Sequence, residues 1–168
     1  MLFEVGETLV YPHHGAVTIT EIESRAVKGV ETTYITLAVC DSELTIKIPI
    51  DKVDYIGVRD VIDEDGLQAV FAVLKADVGE EPNNWSRRYK ANQEKMASGN
   101  VLHVSEVVRD LWRRDEEKGL SAGEKRMLLK SRQILISELA LALDETLEAA
   151  SATLDKVLGT VVTSPAPA

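Results

Sequence analysis

The sequence predicts an α+β chain, with a small β module first and an all-helical bundle after it. Three observations carry this. Over residues 1–56 apolar and polar residues alternate with period two, as in "AVTITEI" and "ELTIKIP", the pattern of half-buried strands. From about residue 60 the apolar spacing becomes three to four, the period of a helix with one buried face. The helical stretches are punctuated by caps and stops, among them Gly99, Asn100, Gly119 and the pair Ser121 and Glu124.

In the β module, "TYITLAV" is β-branched and aromatic and suits a deeply buried strand. "YPHHG" (Tyr11 to Gly15) reads as a turn, and "KGVE" (Lys28 to Glu31) and "CDSE" (Cys40 to Glu43) as hairpin connections. Four or five short strands in so short a stretch predict a small barrel or a strongly bent sheet. In the helical part, "GLQAVFAVLKA" is a short apolar helix and "DVGEEPNN" a loop. "WSRRYKANQEKMAS" is a helix stopped at Gly99, and Asn100 can cap the next, "VLHVSEVVRDLWRRDEEK". Ser121 and Glu124 stand in the S-x-x-E spacing of a capping box, which starts a long helix through "QILISELALAL". "ETLEAASATLDKVLG" is the last helix. The boundaries expected are 1–56 for the β module, 57–65 for a linker, 66–159 for the helical domain and 160–168 for a frayed tail.

Charge is unevenly spread along the 168 residues, whose net charge is −9. Residues 1–84 hold 6 Lys and Arg against 16 Asp and Glu, residues 85–132 hold 12 against 7, and residues 133–168 hold 1 against 5. A polyanion could bind the middle third, while the acidic flanks would limit indiscriminate binding. No run of about 20 apolar residues predicts a membrane span, the start does not resemble a secretory signal, and the single Cys40 suits a small core residue. A cytoplasmic, monomeric protein without a cofactor is expected.

Catalysis finds no support. There is no glycine-rich phosphate loop, no metal-spaced Cys and His set, and the adjacent His13 and His14 suit a turn better than chelation. No enzyme is expected. Trp112 belongs to the apolar stripe Val104, Val107, Val108 and Leu111 and reads as core. Trp85 is ambiguous. With Tyr89, Asn92 and Met96 it lines one helix face, yet it stands at the first helical position, where packing holds a side chain least. Its neighbours Arg87, Arg88 and Lys90 are phosphate-binding types, so an exposed ring that stacks on or wedges between bases reads as well as a core residue. A second cluster, Lys125, Arg126, Lys130 and Arg132, lies off the apolar face formed by Met127, Leu128, Ile134, Leu135 and Leu139. It is either a solvated outer face or, with Lys125 and Arg126 in the first turn against the helix dipole, a seat for a phosphate. On the acidic β module, Arg25 and Lys47 are scarce cations. They are ordinary surface residues or anchors for an acidic protein partner, beside an exposed edge strand.

Taken in order, "FEVGETLVYPHHGAVTI", "YIGVRDV", "EEPNNWSRRYKAN", "VVRDLWRRDEEKGLSAGEKRML" and "QILISELALAL" closely resemble the CarD/CdnL family of bacterial RNA polymerase-binding transcription regulators, its actinobacterial members most of all. The resemblance covers about residues 1–145. It implies a Tudor-like (SH3-like) β domain that binds the polymerase β subunit in a holoenzyme with the primary sigma factor. It also implies a helical domain that meets promoter DNA at the upstream fork of the melted region, so that the protein stabilises the open complex; no base-edge reader is evident, so little sequence specificity is expected. The family's wedge tryptophan falls on Trp85, its DNA-contacting cations on Arg87, Arg88, Lys90 and Lys125, and its polymerase-contacting cations on Arg25 and Lys47. Arg126 and Lys130 join the DNA set from the charge pattern. Lysine at position 47 departs from the familiar arginine and lacks its bidentate fork. The alternative is a protein-only adaptor that links polymerase to a second protein through the helical domain.

Overall fold

The computed structural model describes residues 3–40, 42–77, 82 and 84–160. The chain divides into two compact units, Met1–Val61 and Ile62–Ala168. Each has its own buried apolar cluster.

The first unit is a five-stranded antiparallel sheet: β1 (Thr8–Tyr11), β2 (Gly15–Val27), β3 (Val30–Val39), β4 (Thr45–Pro49) and β5 (Arg59–Asp60), in the order β4-β3-β2-β1-β5. The alternation legible in the sequence is the alternation of faces. Val17 and Ile19 on β2, Ile35 and Leu37 on β3 and Ile48 on β4 bury one face. Leu44 is exposed just before β4 begins. The β2–β3 connection is a two-residue turn, Lys28 and Gly29, both at positive φ (52° and 79°). That is the backbone that matches the twist of the flanking strands. A register shift between Ile19 and Glu21 bulges β2, which pairs with β1 on one side and β3 on the other; such a bulge bends the strand. The other expected hairpin connection, from Cys40 to Glu43, includes Asp41, which lies outside the described residues. Residues 57–65, read as a linker, contain β5, whose two residues pair with Leu9 and Val10 of β1. A 3-10 turn (Ile50–Lys52) and a four-residue helix, α1 (Val53–Ile56), precede it and place Val53 and Val58 in the core.

The second unit is built from α2 (Glu64–Lys75), α3 (Trp85–Ala97), α4 (Val101–Glu117), α5 (Ala122–Leu143) and α6 (Leu147–Gly159). The caps behave as the sequence predicts. The Asn100 side chain accepts the Leu102 N–H, and Ser121 and Glu124 form a reciprocal capping box. Helix α2 starts two residues before the expected one because Asp63 caps it, accepting the Gly66 N–H at 2.9 Å. Apolar stripes from all five helices meet in one cluster, with Leu74, Val107, Leu111, Leu135, Leu139 and Leu154 among its most buried members. Trp112, read as core, is only partly buried at the margin of that cluster. None of the described helices is long and apolar enough to cross a membrane.

Leu139 is fully buried at the centre of this cluster. Removing three carbons there loses transfer free energy and leaves a cavity, so Leu139→Ala should destabilise the helical unit by about 2–5 kcal/mol. Both tryptophans of the chain, Trp85 and Trp112, lie in this unit. Denaturant unfolding followed by tryptophan fluorescence therefore reads its stability separately from the sheet. An unchanged midpoint would contradict this packing.

Candidate nucleic-acid interface and docking face

Helix α3 begins at Trp85 because Asn84 caps it, its side chain accepting the N–H groups of Ser86 and Arg87. The indole is therefore placed at the first helical position, and it is 46% exposed. Inward of it on the same face, Tyr89 is half-buried and Asn92 and Met96 are buried. Both readings of the stripe thus have a share: its inner part is core and its first residue is a surface ring. The ring stacks on Tyr89 with centroids 5.1 Å apart and planes 16° from parallel. Its N–H donates to Ser121 Oγ at 3.2 Å and to Glu124 Oε1 at 3.1 Å. The two contacts join the start of α3 to the start of α5.

The cations assigned to this region do not behave alike. Arg87 and Lys90, three residues apart on α3, are exposed, as are Lys125, Arg126 and Lys130 on α5. Arg126 and Lys130 are spaced i, i+4 and share one side of the helix. Arg88, expected as a direct phosphate contact, is placed otherwise. It is 5% exposed, and its Nε donates to Glu124 Oε2 at 3.3 Å. A guanidinium held this way supports the neighbouring ring and cap more than it offers itself to a ligand. Arg132 also leaves the cationic arc, bonding Asp155 at 2.8 Å and Ser151 at 3.4 Å on α6.

Glu124 ties this region together and was legible in the sequence only as half of a cap. The residue is 3% exposed. One oxygen takes the indole N–H and the Ser121 hydroxyl and backbone N–H; the other faces Arg88 and, at 4.0 Å, Arg114. Burial alone would push this carboxyl up. The hydrogen bonds from Ser121 and the Arg88 charge outweigh burial and hold it below the usual carboxylate range.

On the first unit, Arg25 and Lys47 come together. Pairing places Thr36 of β3 between Glu21 of β2 and Lys47 of β4, and Tyr34 between Glu23 and Pro49. By alternation Glu23, Arg25 and Lys47 share the face opposite Ile35 and Leu37. Glu23 Oε1 accepts from both cations, from Arg25 Nη2 at 2.9 Å and from Lys47 Nζ. The Lys47 hydrogen bond, with the charge of Arg25, holds the Glu23 carboxyl below its ordinary value. Lys47 sits on β4, an edge strand of the sheet.

Comparisons with known proteins agree with this two-part architecture. Residues 3–62 match the CarD-like/TRCF RID domain and residues 69–155 match the CarD C-terminal domain. YdeB of Bacillus subtilis strain 168, named as a candidate transcription factor, is 35% identical over 138 residues, which cover 82% of this chain and 90% of that protein. Among solved structures, the 72-residue N-terminal domain of Myxococcus xanthus CarD is 31% identical, covering 34% of this chain and 77% of its own, with a TM-score of 0.30. CdnLNt of the same organism is 33% identical, covering 38% and 90%, with a TM-score of 0.32. With both of its units matched in order, the chain belongs to the CarD family of transcription regulators.

Proposed function

We propose that this protein docks on the β subunit of RNA polymerase through the Arg25 and Lys47 face of its sheet. Its helical unit then stabilises the promoter open complex, with Trp85 as a wedge at the upstream fork of the bubble. The observation that carries the reading is the half-exposed indole at the first position of α3, within a helical unit whose exposed cations include Arg87, Lys90, Lys125, Arg126 and Lys130. A flat apolar surface can occupy a distorted base step while neighbouring cations hold the phosphates. Arg88 serves this arrangement from beneath, by pairing with the carboxylate that holds the indole.

The polymerase opens the promoter, and the upstream fork is where strands re-anneal. Unstacking a step costs a few kcal/mol, and a ring that fills the opened step offsets part of that. The bias needed is small, since about 1.4 kcal/mol shifts the open-to-closed ratio tenfold. An apolar ring and phosphate-binding cations read no base edges, so little sequence specificity is expected. The net charge of −9 opposes tight binding to free duplex; docking on polymerase supplies the local concentration instead. A monomer acting in the cytoplasm, on the nucleoid through polymerase, suffices for this role.

The test is a footprint. In the presence of holoenzyme with the primary sigma factor, the protein should extend protection at the upstream edge of the bubble and lengthen the open-complex lifetime. Alone, on the same duplex, it should leave no footprint. Polymerase binding without added protection at the fork would favour the protein-only adaptor.

A further inference from the structure

Glu124 does more than an N-terminal cap requires, and we infer that it is the positioning residue for Trp85, fixing which edge of the indole the protein presents. This inference rests on the wedge reading for its consequence at DNA but not for its geometry.

A capping glutamate needs only its partner's backbone N–H, and most caps sit in solvent. Glu124 is buried, and both of its oxygens are engaged. Oε2 faces Arg88 and Arg114, so the carboxylate is anchored from two helices, α3 and α4. Oε1 is thereby held toward the Trp85 indole nitrogen. The indole N–H is the only hydrogen-bonding group of that side chain. Ser121 Oγ gives it a second acceptor, and Tyr89 supports the ring from one side. Tyr89 in turn packs on the first turn of α5, where a Cβ added at Gly123 would lie 3.6 Å from its ring. Plane and rotation of the indole are thus both specified.

The consequence is chemical. A polar N–H pushed into a base step without an acceptor loses its hydrogen bond to water with nothing in return. With that N–H satisfied inside the protein, the carbocyclic edge leads and the inserting surface is apolar. Less rotamer freedom also remains to be lost on binding.

The experiment follows the indole N–H signal of Trp85 by NMR on uniformly nitrogen-15-labelled full-length protein, assigned through Trp85→Phe. In wild type this proton should exchange slowly with solvent. Glu124→Ala should speed exchange about tenfold or more, the loss of one hydrogen bond. Glu124→Gln, whose amide oxygen can still accept, should stay near wild type. Should Glu124→Ala fold poorly by circular dichroism, Glu124→Asp is read instead: its carboxylate is one methylene shorter and falls short of the indole N–H, so a rise in exchange is again expected. Unchanged exchange in the folded variants would overturn the inference. Open-complex decay gives the second arm. Glu124→Ala should speed decay in wild-type protein and add nothing in the Trp85→Ala background; an additive effect there would show that Glu124 acts apart from the ring. If Trp85→Ala itself leaves decay unchanged, the wedge reading falls, and the exchange data alone still decide whether Glu124 pins the indole.

Discussion

Trp85→Ala should shorten the lifetime of open promoter complexes by about 5- to 150-fold while polymerase binding stays unchanged. The range comes from the roughly 1–3 kcal/mol that an aromatic side chain contributes per stacked base. It applies in full only if the ring is in place in the open complex and absent from the closed one, which is what a wedge requires. Folding should be little affected. The ring is 46% exposed, its loss opens no interior cavity, and Asn84 still caps α3. The measurement is the decay of preformed complexes after challenge with a competitor, with wild type and variant each at saturating concentration. Equal decay rates would remove the wedge. Trp85→Phe refines the result: phenylalanine keeps a stacking plane but cannot reach Glu124 through an N–H, so an intermediate lifetime is expected.

The fold was largely readable because its signals are local. Period two, the Lys28–Gly29 turn, the Asn100 cap and the Ser121–Glu124 box are each set by residues within a few positions of one another. Helix α1 and strand β5 escaped because four and two residues are too few to display a period. The candidate site was readable as a list of residues but not as an arrangement. The stripe Trp85, Tyr89, Asn92 and Met96 has the same spacing whether its first member is buried or exposed. What distinguishes the two is contact with α5, from partners 36 and 39 residues away. Arg88 looks like Arg87 in sequence and differs only because Glu124 comes up beneath it. Arg132 likewise sits in a basic run and is taken by Asp155 of α6. Local chemistry names the charged groups; long-range pairing decides which of them face solvent, and no periodicity records that.

Lys47→Glu carries the second large effect: polymerase binding should fall by about 100-fold or more, with Arg25→Glu similar and the helical unit still folded. Reversing a charge against an acidic partner removes one attraction and adds a repulsion, and juxtaposed like charges cost several kcal/mol. In this chain the change also acts within the face. Glu23 now bridges Arg25 and Lys47. A glutamate at position 47 would stand against Glu23, and Arg25 would be drawn to neutralise both, leaving no cation for a partner. Charge, not volume, makes the difference, so Lys47→Arg should retain binding and gain from the bidentate fork that lysine lacks. Glu23→Gln separates the roles within the triad. If Glu23 competes with the partner's carboxylates, the variant binds polymerase more tightly; if it holds the two cations in place, the variant binds more weakly. Co-purification of polymerase with each variant, alongside tryptophan-detected unfolding of the helical unit, gives the answer. Retained binding by both reversal variants would move the docking surface off this face.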